Sequence, residues 1–476
     1  MEPFSFYLFG VTGNLAQIKV IPAIYDLFEK GRIAKGTPII GVARKEMSAN
    51  DFRSFVWDIL HIPNKSHQHT IKDDVWEMMA SSLSYIQGDF SDPSLYATIH
   101  DQMQSRPTQN AIYYLATYPQ LYETIFHQLK QHQLTNEKDG FKRLLVEKPF
   151  GIDLPSAQNL NALMASYFAE SQVYRLDHYL GKETLQNILT FRFGNGLLEP
   201  LFSHEYVDHI QISAMEDIGI GRRGTYFDSV GMLKDVGQNH SLQMLTLLTM
   251  DAPSAFTNEE VTKRRVEILK NIIPDPSAVV FGQYDGYLGE EFVAPQSSTE
   301  TFFALRTTID VPRWQGVPIY IRAGKRVQQS CTEISLVFKT PTNRLFKHLE
   351  SGMEPNVLTF RIQPNEGIVL RFLSKKPGHE LEVESQAMQF CYRLQTSDLP
   401  DAYERLIADV VEGDQTFFND AIEVEAQWEF TDALMREKRV PFLYSQQSWG
   451  PEASMDLLAA DGRSWLEPSS IVCAIE

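Results

Sequence analysis

The sequence predicts a protein of α/β plus α+β class: a doubly wound parallel sheet in the N-terminal third, then a domain built on a large, mainly antiparallel sheet with helices. Three observations predict it. The chain is 476 residues long, beyond the size at which one hydrophobic core keeps growing, so it divides. Its first third alternates short apolar runs with helical periodicity, the pattern of βαβ units. From about residue 180 the strand-like runs lengthen and alternate polar with apolar residues, which suits a sheet with one face partly exposed.

In the first third the strand-like runs are Phe6 to Phe9, Ile39 to Ala43, Ala111 to Leu115, Leu144 to Val146 and Val173 to Leu176. Their near-continuous Val, Ile, Leu and aromatic content suits strands covered by helices on both faces. Ligands of such sheets sit beyond the carboxyl ends of the strands, so the residues just after each run are where chemistry is to be sought. In the second part, His209 to Ser213, Leu336 to Phe338, Leu358 to Ile362 and Ile368 to Phe372 read as strands. Helical periodicity returns at Leu242 to Met250 and at Ala402 to Val411. A sheet with one face partly uncovered is a natural dimer surface.

Composition narrows the function classes. Hydrophobic residues are 43% and charged residues 22% of the chain, ordinary for a globular protein, and no apolar stretch approaches the ~18 residues of a membrane span. Met1 to Ser5 lack a basic region ahead of an apolar one and do not read as a secretory signal. Cys331, Cys391 and Cys473 are far apart and in no metal-ligand or redox spacing, which predicts reduced thiols, no metal and a cytoplasmic location. A formal charge of -18 disfavours nucleic acid and anionic membranes as partners, since both demand a basic face. Any phosphorylated ligand must be met by cations concentrated locally.

After the first run comes GVTGNLA, Gly10 to Ala16, then a helical pattern from about Gln17 to Lys30. Gly10 and Gly13 let the backbone turn tightly against a pyrophosphate, Ala16 permits close helix packing, and the helix N-terminus directs N–H groups at the anion. Such turns also arise for purely steric reasons. The second run sharpens the reading: an NAD-selective site places a carboxylate at that strand's end, whereas Ala43 is followed by Arg44 and Lys45, which attract a 2′-phosphate. NADP is the expected cofactor, and Glu46 nearby leaves NAD use open; the plain alternative is two solvated cations. The chain then divides into a dinucleotide-binding, Rossmann-like domain over 1–178 and an α+β substrate and dimerisation domain over 179–476.

Three further segments carry chemistry. VEKPFG, Val146 to Gly151, comes at a strand end and puts Lys148 beside a ligand. RLDHYLGKE, Arg175 to Glu183, gathers Asp177, His178, Tyr179 and Lys182 after the last strand. DVGQNH, Asp235 to His240, leads into an apolar helix. Oxidising a hemiacetal hydroxyl requires a base to take its proton as hydride leaves the same carbon; a neutral histidine oriented by a carboxylate suits this, and Asp177 with His240 is the candidate pair. His178, Tyr179, Lys182 and Lys148 supply the local donors for a sugar phosphate. Singly, each has a duller reading, with His240 a core or capping histidine, Asp177 a helix cap and Lys182 a solvated cation. Their joint occurrence at strand ends of one dinucleotide-type fold is what selects the chemistry.

These segments resemble the glucose-6-phosphate dehydrogenase family. The likeness is carried by RLDHYLGKE, VEKPFG and GVTGNLA with Lys19 and Pro22 downstream, and by GRRGTYFDSVGMLKDVGQNHSLQML from Gly221. It continues through VPIYIRAGK from Val317, YERLIADVVEGDQTFF from Tyr403 and EAQW from Glu425, so it spans essentially the whole chain. The segment around Asp177 is highly specific; VEKPFG is less so.

The resemblance implies oxidation of C1 of D-glucose 6-phosphate to 6-phospho-D-glucono-1,5-lactone with hydride transfer to NADP, the first step of the pentose phosphate pathway. It implies His240 as general base paired with Asp177, and His178, Tyr179 and Lys182 on the substrate phosphate. Lys148 then bridges substrate and cofactor, Glu216 and Asp235 meet sugar hydroxyls, and Lys325 lies beside them. Gly10, Thr12, Gly13, Asn14, Leu15, Lys19 and Arg44 fall at the cofactor. A homodimer or homotetramer without a metal is implied as well.

Three departures stand out: Asn14 where the family usually has aspartate, Gln17 and Ile18 for the usual lysines, and Ser330 where a second basic residue is common. The last implies weaker substrate binding unless Arg326 compensates. Two other readings are a related-fold oxidoreductase of a different sugar, disfavoured by the cations around His178 and Lys182, and a non-catalytic paralogue, disfavoured by the presence of both Asp177 and His240.

Overall fold

A computed structural model describes residues 2–62, 70–340, 354–380, 382–395, 399–437 and 439–468. The chain forms two compact units. The first comprises Met1–Gly181, Thr257–Thr262 and Pro400–Val424; the second comprises Lys182–Phe256, Lys263–Leu399 and Glu425–Glu476. Residues 400–424, placed by sequence with the later part of the chain, thus pack with the first sheet.

The first unit is built on six strands: β1 (Ser5–Phe9), β2 (Ile39–Ala43), β3 (Leu83–Gln87), β4 (Ala111–Leu115), β5 (Lys142–Glu147) and β6 (Val173–Leu176). Their order is β3-β2-β1-β4-β5-β6 and every pairing is parallel. The connection reverses direction at β1, which lies between β2 and β4, so the crevice at its carboxyl end is the expected ligand position. β1, β2 and β4 are buried throughout, as their apolar runs require. The strand absent from the sequence reading is β3. It is Leu-Ser-Tyr-Ile-Gln at the sheet edge, with only two of its side chains buried, so it lacks the continuous apolar signal.

The returning segment is a helix, Ala402–Glu412, capped by Asp401, whose carboxylate accepts the Tyr403 N–H, and ended by Gly413 at φ +86°. Lys30 pairs with Glu404 at 3.0 Å. Arg143 donates to the carbonyls of Val410 and Val411, 2.7 Å each, satisfying carbonyls that a helix end otherwise leaves bare.

The second unit carries a ten-stranded sheet. Its strands are β7 (Val207–Met215), β8 (Ile272–Ile273), β9 (Val279–Tyr284), β10 (Phe302–Ile309), β11 (Ile319–Gly324), β12 (Cys331–Phe338), β13 (Val357–Gln363), β14 (Gly367–Lys375), β15 (Val383–Cys391) and β16 (Phe442–Tyr444). The order is β15-β14-β13-β12-β7-β11-β10-β9-β16, with β8 on β10. Pairings are antiparallel except β7 with β11 and β9 with β16. The expectation of a half-exposed sheet holds only for the outer strands: β14 and β15 are largely open, whereas β7, β11, β12 and β13 are buried almost throughout. Those central strands are covered. β7 and β11 pack against residues Leu233–Ser241, and Arg322 of β11 lies under the Trp465 ring at 4.3 Å.

Cys331 is a buried free thiol. Cys391 is disulfide-bonded, so the expectation of reduced thiols does not hold for it; Cys473 lies outside the described residues. Among the described residues no helix is long and apolar enough to cross a membrane.

Candidate active site

The first unit presents its predicted residues along the carboxyl edge of one sheet. Gly10 adopts φ +79°, and a Cβ there would lie 2.5 Å from the Ala116 carbonyl oxygen, so only glycine fits. Its N–H donates to the Val42 carbonyl, and the Gly13 N–H donates to the Gly10 carbonyl, both at 2.8 Å. The backbone therefore turns close to the tips of β1, β2 and β4 with no side chain in front of it. Ala16 is buried and opens a π-helical turn, Ala16–Val20, that runs into the α-helix Ile21–Glu29. Gln17, one of the departures, turns its amide back to donate to the Thr12 carbonyl at 2.7 Å and so pins the loop that Thr12, Asn14 and Leu15 belong to. Lys19 pairs with Asp401 at 3.4 Å, and its ammonium lies 5.7 Å from the centre of the Tyr403 ring.

Beyond β2, Arg44 and Lys45 are exposed. Their backbone is held in place by the Tyr85 hydroxyl, which bridges the carbonyls of Ala43 and Lys45. The edge strand that the sequence does not reveal thus fixes the loop carrying the candidate 2′-phosphate cations.

At the end of β5, the Glu147 carboxylate is buried and receives the hydroxyls of Tyr114 and Tyr403. Burial pushes its pKa up to about 7. Lys148 comes next, half-buried, joined to Pro149 by a cis peptide bond. At the end of β6, Asp177 is 1% exposed. Its Oδ1 accepts the Tyr179 N–H at 3.0 Å, and its carbonyl accepts the Leu180 N–H at the same distance. One oxygen of Asp177 therefore makes a turn rather than the helix cap of the plain alternative, since the next helix is capped at Lys182. His178 lies with its ring stacked on Tyr403 and edge-on to Tyr179, at 6.3 and 4.9 Å between centroids. In sequence Tyr403 is simply part of a helix; its position under His178 has no local signal.

In the second unit, Lys182 stands half-buried at the N-cap of the helix Glu183–Phe193. Glu216 lies just past β7 and Lys325 just past β11; these strands are parallel neighbours with Met215 opposite Gly324. The two side chains meet, Lys325 Nζ to Glu216 Oε2, at 2.5 Å, with Lys325 fully buried and Glu216 29% exposed. The Lys325 ammonium also faces the Phe227 ring at 5.4 Å.

Asp235 and His240 lie on a π-helix, Leu233–Ser241, and both are buried. Bonds that run i→i+5 stack residues five apart on one side of the helix; in an α-helix, at about 100° per residue, the same pair would point about 140° apart. The winding therefore brings Asp235 and His240 onto one face. Sequence has no means of showing it, since DVGQNH matches no period of 3.6. Arg223 Nη1 lies 3.9 Å from Asp235 Oδ2.

The departure at Ser330 has a local partner. Ser330 donates its hydroxyl to Asp217 Oδ1 at 2.5 Å and accepts the Asp217 N–H at 2.9 Å. Arg326 pairs with Glu290 at 3.4 Å and is 41% exposed.

Two family profiles match the chain. One is described as "Glucose-6-phosphate dehydrogenase, NAD binding domain" and covers residues 7–187; the other, "Glucose-6-phosphate dehydrogenase, C-terminal domain", covers 189–466. A glucose-6-phosphate 1-dehydrogenase of Chlamydia muridarum is 40% identical, over 97% of this chain and 96% of its own length. Glucose-6-phosphate 1-dehydrogenase 2 of Mycobacterium bovis is 37% identical, over 98% and 95%. Among solved structures, a glucose-6-phosphate dehydrogenase in complex with its substrate glucose 6-phosphate matches with a TM-score of 0.89 at 34% identity, covering 98% of this chain and 99% of that one. The enzyme from Mycobacterium avium matches with a TM-score of 0.87 at 32% identity, covering 98% and 100%.

Proposed function

The chain belongs to the glucose-6-phosphate dehydrogenase family, and from that premise we propose how its own residues divide the work and which nicotinamide cofactor they favour. The enzyme oxidises C1 of glucose 6-phosphate to 6-phosphogluconolactone and uses a nicotinamide cofactor. The observation that carries the reading is the full-length likeness to an enzyme solved with glucose 6-phosphate.

NADP is our assignment for the cofactor. The residues present suit it: Gly10, where a Cβ would collide with Ala116, lets the chain turn tightly between β1 and the helical segment from Ala16, whose start a pyrophosphate would face. Arg44 and Lys45 stand exposed at the end of β2 with no carboxylate in the ribose position. Gly10, Thr12, Gly13, Asn14, Leu15 and Lys19 form the turn and first helical residues against the dinucleotide, with Lys148 reaching both ligands. When bound, the nicotinamide ring accepts the hydride.

In this reading His240 takes the O1 proton through one imidazole nitrogen as hydride leaves C1, and the C1–O1 bond becomes the lactone carbonyl. Asp177 holds the other nitrogen and stabilises the imidazolium that forms. His178, Tyr179 and Lys182 grip the phosphate, and Lys148 aligns the reacting end. Asp235 and Glu216 accept hydrogen bonds from sugar hydroxyls. Lys325 neutralises Glu216 so that neither charge is buried alone. No residue in this scheme calls for a metal. We further read the enzyme as a cytoplasmic homodimer or homotetramer; support for assembly is the family resemblance and the open outer strands, where Met388 is 62% exposed.

The test is an absorbance assay at the reduced nicotinamide band with both cofactors, run with glucose 6-phosphate and with free glucose. Turnover with the phosphorylated sugar and NADP is expected. Equal turnover with free glucose would remove the phosphate-binding roles, and a preference for NAD would remove the role of Arg44.

A further inference from the structure

The π-helix that carries Asp235 and His240 begins in an unusual way. Gly231, at φ +77° and ψ 172°, breaks the preceding helix Gly224–Met232. A residue at a helix start ordinarily caps the free amides with its own side chain. Gly231 has none, and a Cβ there would lie 2.6 Å from the carboxyl carbon of Glu300. Glu300, just before β10, fills that space. Its main-chain carbonyl accepts the Met232 N–H at 3.0 Å, and its Oε1 accepts the Leu233 N–H at 3.1 Å. The carboxyl is buried, which pushes its pKa up to about 7 even at a helix start whose dipole favours negative charge.

We propose that Glu300 is a positioning residue for the reaction: delivered from a distant strand into the space above Gly231, it fixes the start of the π-helix and with it the register of Asp235 and His240. The inference rests on His240 being the base. Any change in where the helix begins rotates both side chains together, because the i→i+5 winding links them. A glutamine keeps the acceptor and loses only the charge; an alanine keeps the main-chain carbonyl for Met232 but takes the acceptor from the Leu233 amide and leaves a void.

E300A, E300Q and E300D are assayed with glucose 6-phosphate and NADP from pH 6 to 9, with melting temperatures and with H240N as a second background. E300A is expected to lose at least tenfold in kcat, with both KM values within threefold of wild type, while E300Q stays within threefold in kcat. The acidic limb of the kcat/KM profile is expected to move in E300A, and the E300A loss to vanish in the H240N background. If E300A does not fold, E300D carries the test, since it withdraws the carboxylate by one methylene and should lose kcat likewise. Wild-type kcat in E300A, or equal losses in E300A and E300Q, overturns the proposal. Full turnover in H240N alone sinks the base assignment and leaves the Glu300 comparison to stand or fall separately.

Discussion

The ring of His178 lies on that of Tyr403, centroids 6.3 Å apart and planes within 17°, although one sits just past β6 and the other belongs to the returning helix. Tyr403 is fixed in turn, its hydroxyl bonded to buried Glu147 and its face toward Lys19. The imidazole proposed for the substrate phosphate and the ammonium proposed for the cofactor thus share one aromatic support. Tyr403→Ala should free His178 and raise the KM for glucose 6-phosphate about tenfold, about 1.4 kcal/mol, with a smaller change in kcat. Tyr403→Phe keeps the ring and should stay near wild type in KM; equal KM values for wild type and Tyr403→Ala would show that the stacking does nothing for binding.

His240→Asn should lower kcat by roughly 10² to 10⁴ while KM for glucose 6-phosphate moves by less than severalfold. Asp177→Asn keeps an oxygen for the Tyr179 amide, so the turn survives, but the base proposed above loses the anionic partner proposed for it. A kcat loss of about 10² is expected there. Steady-state kinetics with circular dichroism separates these losses from misfolding.

Arg44→Ala should raise the KM for NADP about tenfold, the loss of one charge-assisted phosphate contact, and leave the KM for NAD unchanged. A parallel rise for both cofactors would place Arg44 away from the 2′-phosphate.

Glu147 makes a prediction about pH. Burial raises its folded pKa from 4.5 to about 7, so between those values the native state holds a proton that the unfolded state has released. Stability should therefore fall as pH rises from about 4.5 to 7 and level off above, a loss of about 3 kcal/mol from this group. Glu147→Gln, which still accepts the tyrosine hydroxyls, should flatten that slope. Melting temperatures measured from pH 5 to 8 decide it; identical slopes in both proteins would mean the carboxyl is not so shifted.

Ser330→Arg places a cation just before β12, where the family resemblance implies a second basic residue. It should lower the KM for glucose 6-phosphate about fivefold, near 1 kcal/mol, at unchanged kcat. An unaltered KM would show that Arg326 or Lys325 already meets the need.

The composition of the strands made most of the first sheet legible. β1, β2 and β4 are buried on both faces, which demands unbroken apolar runs, and the glycine turn after β1 is local because Gly10 must turn beside Ala116 within a few residues of the strand. β3 escaped for the converse reason: an edge strand is free to mix polar residues, and Leu-Ser-Tyr-Ile-Gln carries no clear period. The half-exposed reading of the second sheet failed at its centre because residues covering β7 and β11 come from the helix at Leu233–Ser241 and the tail at Trp465, remote in sequence from those strands.

By itself the sequence determined the kinds of group the site offers: a glycine turn, two cations after β2, and Asp177, His178 and Tyr179 in one short segment, because each set is close in the chain. Tertiary structure alone decided how those groups are held. Tyr403 reaches His178 through a segment that returns from the end of the chain, Lys325 finds Glu216 across two parallel strands, and Glu300 starts a helix whose winding no local period announces. Contacts between residues far apart in sequence are set by packing and by the need to satisfy buried polar groups, and neither leaves a mark at the residue's own position.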